Sequence, residues 1–372
     1  KLREKYGAGC GSIRFTSLEE ELSRAAFYIV TVLTPVDERK NPDLTCLVEA
    51  TRTVARYLKR GDYVVYESTV YPGCTEEVCV PLLEKGSGLK LGADFKVGYS
   101  PERINPNDSE HTFSNTAKIV SANDGQALDE VARVYAEVVA ADLCRASGIR
   151  VAEAAKMTEN VQRSVNIALM NELQRLFSRM GIDMGEVIDM ASSKWNFVKY
   201  RPGLGGGHCI PVDPLYLVSA ASKLGVEMPV TSSGCAVNDG MAAYVVRSLL
   251  GAMGSDGRGA RALLMGVTYK ENIDDIRNSR IAEMVGLLER EGMSVDVTDP
   301  HADPDKVYAM YGIRPVPALR PPYDLIVVAV AHDEYRGLDD AYFRSISRGA
   351  ALLGDIRGLY KGRIKSLGYW SL

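Results

Sequence analysis

Short apolar runs alternate with amphipathic stretches over the first 145 residues or so. The run 26–33 is rich in β-branched and aromatic residues and ends at Thr34-Pro35, a pattern that predicts a buried strand. Apolar residues in 43–58 recur at helical spacing, which predicts a helix. Further strand-like runs follow at 63–66, 95–99 and 118–121. Strands that alternate with helices in this way are typical of a doubly wound parallel sheet.

One long helix is predicted in the middle of the chain. The stretch 149–180 contains neither Gly nor Pro, and Ser147 stands before it as a candidate N-cap. Its apolar residues recur every three or four positions: Met157, Val161, Val165, Leu169, Leu173, Leu176 and Met180. Such a stripe would be a large exposed patch in a monomer. The pattern therefore predicts a helix that bridges two domains and forms a homodimer.

The strand-and-helix pattern begins again near residue 258. Strands are predicted at 262–267, 294–297, 324–331 and 350–353, and a helix at 280–291. We therefore predict an α/β fold with two Rossmann-like doubly wound parallel-sheet domains, joined by the long central helix and a helical middle domain. The predicted boundaries are 1–146, 147–250 and 251–372.

Composition narrows the class of protein. Of 372 residues, 46% are hydrophobic and 25% charged, and 44 basic against 48 acidic side chains give a net charge of −4. No basic surplus exists to attract nucleic acid or an anionic membrane surface. The longest clean apolar run, 325–331, is far shorter than the roughly 20 residues of a membrane span. Seven cysteines are too sparse for a disulfide framework and favour a reducing, cytoplasmic location.

The strongest candidate for chemistry is the segment 201–213, RPGLGGGHCIPVD. Its four glycines allow close approach of the backbone to a ligand. A single cysteine is usually a small buried apolar residue. A core cysteine rarely follows such a glycine run, however, so Cys209 is the candidate nucleophile, with Asp213 four residues on. The neighbouring His208 either favours the thiolate or points elsewhere, and the sequence leaves both open.

Lys156 and Asn160 share one face near the start of the long helix because they are four residues apart. They are either a snorkelling lysine and its neighbour or a cation and an amide that stabilise oxyanion charge. Spacing alone leaves these alternatives open. No metal site is predicted.

Polar residues follow three predicted strands of the first domain, at Thr34-Pro35, Ser68-Thr69 and 100–103. Each could be ordinary turn chemistry. Because ligands bind at the carboxyl ends of parallel strands, the three together indicate a shared crevice. The segment 7–11, GAGCG, follows no strand, and we interpret it as an ordinary loop.

Several motifs closely resemble the UDP-glucose/GDP-mannose dehydrogenase family of nucleotide-sugar 6-dehydrogenases. They span nearly the whole chain: ESTVYPGCTEE (67–77), SPERINP (100–106), AEAAKMTENVQRSVNIALMNEL (152–173), GGGHCIPVDP (205–214), GVTYKENIDDIRNS (266–279) and VAVAHDEY (328–335). The forms of 100–106 and 201–213 look most like members that act on UDP-N-acetylhexosamines. The sequence leaves the choice of hexosamine and epimer open.

The resemblance implies that the C6 hydroxyl of a UDP-sugar is oxidised to a carboxylate with two NAD⁺. By this resemblance Cys209 traps the C6 aldehyde as a thiohemiacetal and later carries a thioester. Lys156 and Asn160 match the residues that stabilise the oxyanion, and Asp213 matches the carboxylate that handles protons and orients water.

The resemblance also implies the surrounding contacts. Thr69 and Glu102 match residues around the same water and thioester. The implied NAD contacts are Thr34, Pro35, Ser68, Thr69 and Glu102. The implied substrate contacts are Arg103, Lys156, Asn160, Gly205, Gly206, Lys270 and Arg357.

The sequence differs from the family pattern at its beginning, and this difference leaves a second functional hypothesis open. The family opens with a strand and a G-x-G-x-x-G turn that binds the NAD pyrophosphate, and the sequence begins after it. We expect about two βα units, roughly 30 residues each, to precede this chain in the intact protein. The alternative is a non-catalytic nucleotide-sugar-binding fragment. A two-electron hydroxyacid dehydrogenase would share the Lys–Asn helix but needs no cysteine in a glycine loop.

Overall fold

The computed structural model describes residues 14–37, 39–105 and 107–372, in two compact units. Unit 1 comprises the described residues of 1–34, 43–104 and 111–155. Unit 2 comprises those of 35–42, 105–110 and 156–372. The loop predicted at 7–11 lies outside the described residues.

Unit 1 is built from short strands and amphipathic helices. In chain order they are β1 (Phe27–Val30), α1 (Thr45–Tyr57), β2 (Tyr63–Tyr66), α2 (Val80–Ser87), β3 (Lys96–Tyr99), β4 (Lys118–Ala122), α3 (Gly125–Ala136) and β5 (Leu143–Arg145). A 3₁₀-helix, Glu19–Arg24, precedes β1, and a π-helix, Thr75–Cys79, leads into α2. The core lies where Val65 and Val120 of the sheet meet Val131 and Tyr135 of α3.

The sheet of unit 1 has the strand order β1-β2-β3-β4-β5. β1, β2 and β3 are parallel, as predicted. β5, a strand that the sequence analysis did not predict, is parallel to β4. β4 runs antiparallel to β3, with Gly98 opposite Ala122. The described residues of the connection 100–117 form no helix, so the chain turns back instead of making the helical crossover that a parallel pair requires.

The central helix, α4, runs over Ile149–Arg179, close to its predicted bounds. Its apolar stripe is not uniform: Met157 is fully buried, whereas Leu169, Leu176 and Met180 are about half exposed. The amino-terminal part of the stripe therefore belongs to the protein interior, and the carboxyl-terminal part lies at the surface of this chain.

Unit 2 contains helices and the second sheet. Its elements are the rest of α4, α5 (Met184–Ala191), α6 (Asp213–Lys223), α7 (Pro229–Asp239), α8 (Met241–Met253), β6 (Arg261–Met265), α9 (Arg280–Arg290), β7 (Ser294–Thr298), α10 (Pro304–Tyr311), β8 (Tyr323–Val328), α11 (Asp333–Arg336), α12 (Asp340–Ile346), β9 (Ser347–Asp355) and β10 (Gly368–Ser371).

The second sheet has the order β10-β9-β8-β6-β7 and is parallel throughout. Its strands bury side chains on both faces, as expected of a doubly wound sheet. Leu264 packs on the side of α8 and α9, and Leu263 packs on the side of Phe343 in α12. The chain leaves β6 toward β7 on one side and β8 toward β9 on the other. The adjacent strands β6 and β8 therefore form the switch point where α/β sheets bind ligands.

Among the residues described, no helix is both long enough and apolar enough to cross a membrane.

Candidate functional site

Cys209 and Asp213 are joined by one tight turn of unit 2. The Cys209 carbonyl accepts hydrogen bonds from the backbone N–H groups of Val212, at 3.2 Å, and Asp213, at 2.9 Å. Asp213 is the first residue of α6, with proline next to it in the first helical turn. The four-residue spacing seen in the sequence is therefore the spacing of a turn that leads directly into a helix.

Lys156, Asn160 and Asp213 form a buried polar cluster. Each is at most 7% exposed, and the Asn160 amide donates a hydrogen bond to the Asp213 carboxylate. Burial raises the pKa of Asp213 to about 6, while the Asn160 hydrogen bond and the Lys156 charge act in the opposite direction. Both side chains lie inside the protein, beside a carboxylate, so Lys156 is not a lysine that reaches solvent at a helix edge. The part of the pair in stabilising an oxyanion stays a prediction.

The Cys209 residue is exposed, but its thiol lies among enough protein atoms to lose hydration. This loss raises the pKa of the thiol, and Asp213 raises it further, whereas Lys156 lowers it. Burial also lowers the pKa of His208, whose Nε2 has no hydrogen-bond partner among the described residues. A charged His208 that stabilises the thiolate is therefore not supported.

Close packing requires glycine at the two positions before His208-Cys209. A Cβ atom on Gly206 would lie 2.9 Å from the Asn278 carbonyl oxygen, and one on Gly207 would lie 2.8 Å from the Tyr269 ring. Gly207 also has φ +85°, a conformation that side chains other than glycine rarely adopt. Asn278 donates from its amide to the Gly207 carbonyl at 3.0 Å. Tyr269 and Asn278 thus fix the loop that carries the cysteine.

A second anchor holds the beginning of the same loop. Buried Asn171 on α4 accepts the Gly203 N–H at 2.8 Å and donates to the Gly203 carbonyl at 3.2 Å. The guanidinium of Arg357 lies 3.7 Å from the position that a Cβ on Gly203 would occupy. Gly205 is looser, because the nearest atom to its Cβ position is 3.5 Å away, on Ile210.

A cavity of about 220 Å³ lies beside this loop in unit 2. Ile210 and Pro211 line it, as does Ser164 of α4. Because Lys156, Asn160 and Ser164 follow at intervals of four, the cavity lies along the helix face that carries the polar cluster.

Lys270 lies in the loop that follows β6, at the switch point of the second sheet. Its ammonium donates to the Asn105 side chain at 3.2 Å. Asn105 belongs to the SPERINP motif, and Pro106 of that motif is outside the described residues.

The residues at the strand ends of unit 1 tie the loops to each other. The Thr34 hydroxyl donates to the Thr69 carbonyl, and the Ser68 hydroxyl donates to the Val32 carbonyl, both at 2.7 Å. These hydroxyls are therefore used in shaping the edge at the ends of β1 and β2, where a dinucleotide binds in such sheets. Thr69 is partly exposed at this edge.

The other predicted residues of this region also make local contacts. One carboxylate oxygen of Glu102 accepts the backbone N–H groups of Arg103 and Ile104, both at 2.6 Å, and the Arg103 guanidinium donates to the Ala117 carbonyl at 2.9 Å. Pro35, in unit 2, accepts a hydrogen bond from the Tyr216 hydroxyl at 2.8 Å.

Glu153 is a buried acid that the sequence analysis missed. Its carboxylate accepts the backbone N–H groups of Gly73, at 2.6 Å, and Thr75, at 2.9 Å, and it has no exposed surface. The sequence could have indicated this residue, because an acidic side chain among the alanines of AEAAK (152–156) is unusual on a helix face that is otherwise buried. Tyr269, Asn278 and Asn171 were also missed, since their partners are remote in sequence.

Comparison with known protein families gives three matches in chain order. The UDP-glucose/GDP-mannose dehydrogenase family's NAD binding domain matches residues 2–139, its central domain 150–240 and its UDP binding domain 263–362.

Individual relatives agree with these matches. The UDP-N-acetyl-D-glucosamine 6-dehydrogenase of Pseudomonas aeruginosa is 46% identical over 93% of this chain and 83% of its own. The enzyme of the same name from Salmonella typhi is 45% identical, over 93% and 82%. Among solved structures, a UDP-D-ManNAc dehydrogenase from Pyrococcus horikoshii has a TM-score of 0.88 at 28% identity, covering 100% of this chain and 86% of that one. The chain therefore belongs to the UDP-glucose/GDP-mannose dehydrogenase family, whose members are NAD-dependent dehydrogenases of nucleotide sugars.

Proposed function

We propose that this chain oxidises the C6 hydroxyl of a UDP-N-acetylhexosamine to the carboxylate, in two steps at one site. The observation that carries the proposal is the buried cluster of Lys156, Asn160 and Asp213 beside the Cys209 turn. The substrate class follows the names of the relatives, and UDP-N-acetyl-D-glucosamine is the first candidate.

Bound NAD⁺ would supply the hydride acceptor for both oxidations. Once C6 is an aldehyde, the Cys209 sulfur adds to its carbon and a C–S bond forms. Because the pKa of the thiol is raised, its proton must pass to a base, and the Asp213 carboxylate is the proposed acceptor. The oxygen of the adduct becomes negative, and the Lys156 ammonium and Asn160 amide are proposed to stabilise it.

After the second hydride leaves C6, the sugar is held on Cys209 as a thioester. Asp213 would take a proton from water that attacks the thioester carbon; the C–S bond then breaks and the sulfur leaves as a thiolate. Two NAD⁺ and one water would be consumed, and two hydrides leave C6, for each carboxylate formed. A carboxyl pKa of about 6 lets this group accept protons at neutral pH and return them to solvent.

The remaining contacts with cofactor and substrate are proposed from the resemblance to the family. On the cofactor side they are Thr34, Pro35, Ser68, Thr69 and Glu102, with Thr69 and Glu102 also near the attacking water. On the substrate side they are Arg103, Gly205, Gly206, Lys270 and Arg357, with the two cations Lys270 and Arg357 suited to phosphate or sugar oxygens.

The test is NADH formation with UDP-N-acetyl-D-glucosamine and its C2 and C4 epimers, counted per sugar consumed. We expect two NADH per sugar, and no acid from Cys209→Ser. Cys46→Ser, which changes another exposed cysteine, is the matched control and should turn over normally. Acid formation by Cys209→Ser at the normal rate would refute the thioester route.

A binding-only role is the less favoured alternative. A protein that only binds UDP-sugars has no need for a buried carboxylate with a raised pKa beside a thiol. Binding of UDP-sugar with no NADH from any epimer would favour that role.

We also propose a homodimer. Leu169 and Leu176 of α4 and Met180 directly after it are exposed, and Met190 and Trp195 are exposed nearby in sequence. A monomeric mass in light scattering at micromolar concentration would contradict this proposal.

A further inference from the structure

The loop that carries Lys270 is held by an unusually well-connected buried histidine. His332 follows β8 and is 0% exposed, and the loop 266–272 follows the adjacent strand β6. The two loops touch closely: a Cβ on Gly266, at φ +100°, would lie 2.6 Å from the Cβ of Val330. The backbone of one loop is therefore shaped against the other at the switch point of the sheet.

The hydrogen bonds of His332 define its protonation. Nδ1 accepts the Asn272 backbone N–H at 3.0 Å, so this nitrogen carries no proton. Nε2 lies 3.2 Å from an Asp299 carboxylate oxygen and 3.2 Å from the Thr268 hydroxyl. The Thr268 hydroxyl donates its one proton to the Lys270 carbonyl at 3.0 Å. Toward His332 it can therefore only accept a hydrogen bond. The ring is thus neutral with its proton on Nε2.

Asp299 completes the arrangement as an acceptor. Its carboxylate receives the backbone N–H groups of Val267 and Thr268 on one oxygen and those of His301 and Ala302 on the other. Burial raises its pKa, but the hydrogen bonds from His332, Val267 and His301 outweigh this and hold it well below the usual value.

Lys270 is consequently fixed from both sides. Thr268 holds its carbonyl, and His332 holds the N–H of Asn272, two residues on. Asn272 has φ +58°, and its side chain accepts the Asp333 N–H at 2.9 Å. A turn with this strained residue needs its partners to persist.

His332, His301 and Glu334 also form a group of possible metal ligands. The chemistry of His332 argues against that use, because the Nδ1 lone pair receives the Asn272 N–H and Nε2 bears a proton.

We propose that His332 is a positioning residue for Lys270, through its Nδ1 acceptor, and thereby sets the affinity of this protein for the diphosphate of its nucleotide-sugar substrate. The proposal rests on the proposed function, which assigns Lys270 to the substrate side.

Two variants of His332 separate positioning from mere packing. In His332→Asn the amide oxygen can replace Nδ1 as the acceptor, whereas His332→Gln reaches the Nε2 position and leaves the Asn272 N–H unpaired. We expect His332→Gln to weaken UDP binding, measured by calorimetry without NAD, by about tenfold. His332→Asn should stay within about threefold of the original protein. His301→Asn, beside the loop, is the control and should bind UDP normally.

Kinetics and a double-mutant cycle complete the test. His332→Gln should raise KM for the UDP-sugar with little change in kcat, and should have no further effect on UDP affinity in a Lys270→Met background. Equal affinities of the two His332 variants, or an undiminished Gln effect in that background, would overturn the proposal. If the original protein binds no UDP, the proposed function itself fails, a result distinct from either of these.

Discussion

Replacing Asp213 by asparagine should abolish turnover and at the same time make the stability of unit 2 less dependent on pH. Asp213 is 2% exposed, and burial raises its pKa from 3.8 to about 6. The folded protein therefore binds this proton more tightly than the unfolded chain does. As pH rises past 3.8, ionisation costs folding free energy, and the cost is complete above about pH 6.

The size of the effect follows from the two pKa values. Each pKa unit corresponds to about 1.4 kcal/mol, so the full penalty is about 3 kcal/mol. About 2 kcal/mol of it develops between pH 4.5 and pH 8. Asparagine adds a constant offset from its own hydrogen bonding, but no titration. The difference in unfolding free energy between the variant and the original protein should therefore shift by about 2 kcal/mol in favour of the variant across this range.

The assay is urea denaturation followed by tryptophan fluorescence. Both tryptophans, Trp195 and Trp370, belong to unit 2, the unit that contains Asp213. All other titratable groups are common to the two proteins, so the difference isolates this carboxyl. Parallel stability curves from pH 4.5 to pH 8 would show that Asp213 titrates normally and would remove the physical basis for its role as a base at neutral pH.

Two further predictions concern the backbone, one in the Cys209 loop of unit 2 and one in unit 1. Gly207→Ala places a methyl group against the Tyr269 ring and should lower kcat by about a hundredfold, since the cysteine loop must move. Gly225 has a similar positive φ, but no atom lies within 4 Å of the position that a Cβ would occupy. The control variant Gly225→Ala should therefore lose stability and keep its activity. Equal kcat values in the two variants would contradict the packing argument. Glu153→Gln should cost about 1–3 kcal/mol and speed amide exchange at 73–75, because the NH2 group that replaces one carboxylate oxygen donates and cannot accept an N–H. Unchanged exchange would exclude this anchoring.

Most of the fold could be predicted from the sequence because local periodicity determines most of its elements. The helix at 149–180 and the strands near 63–66 and 262–267 are found within a few residues of their predicted bounds. The antiparallel placement of β4 could not be predicted in this way, since strand direction depends on the course of the 100–117 connection and not on any pattern inside the strand.

The candidate site divides along the same line. Cys209 and Asp213 were found because their arrangement is one local turn. Two other contacts join residues more than 50 positions apart: the Asn160–Asp213 hydrogen bond and the packing of the Tyr269 ring against Gly207. No rule based on local spacing predicts such contacts. The glycine run indicated that another group packs closely against the Cys209 loop, but it did not identify that group.

The buried polar cluster is where folding and chemistry make opposite demands. Apolar residues of similar size in place of Lys156, Asn160 and Asp213 would cost less free energy on folding. Burying a polar or charged group removes it from water, and its partners do not fully compensate for that loss. The hydrogen bonds and opposite charges of these three residues reduce that cost without removing it, as the raised pKa of Asp213 indicates. A carboxylate that folding alone would leave protonated is one that can take a proton from a thiol or water and release it near neutral pH. The same desolvation that weakens the fold at this point is therefore what suits the carboxylate to its proposed work.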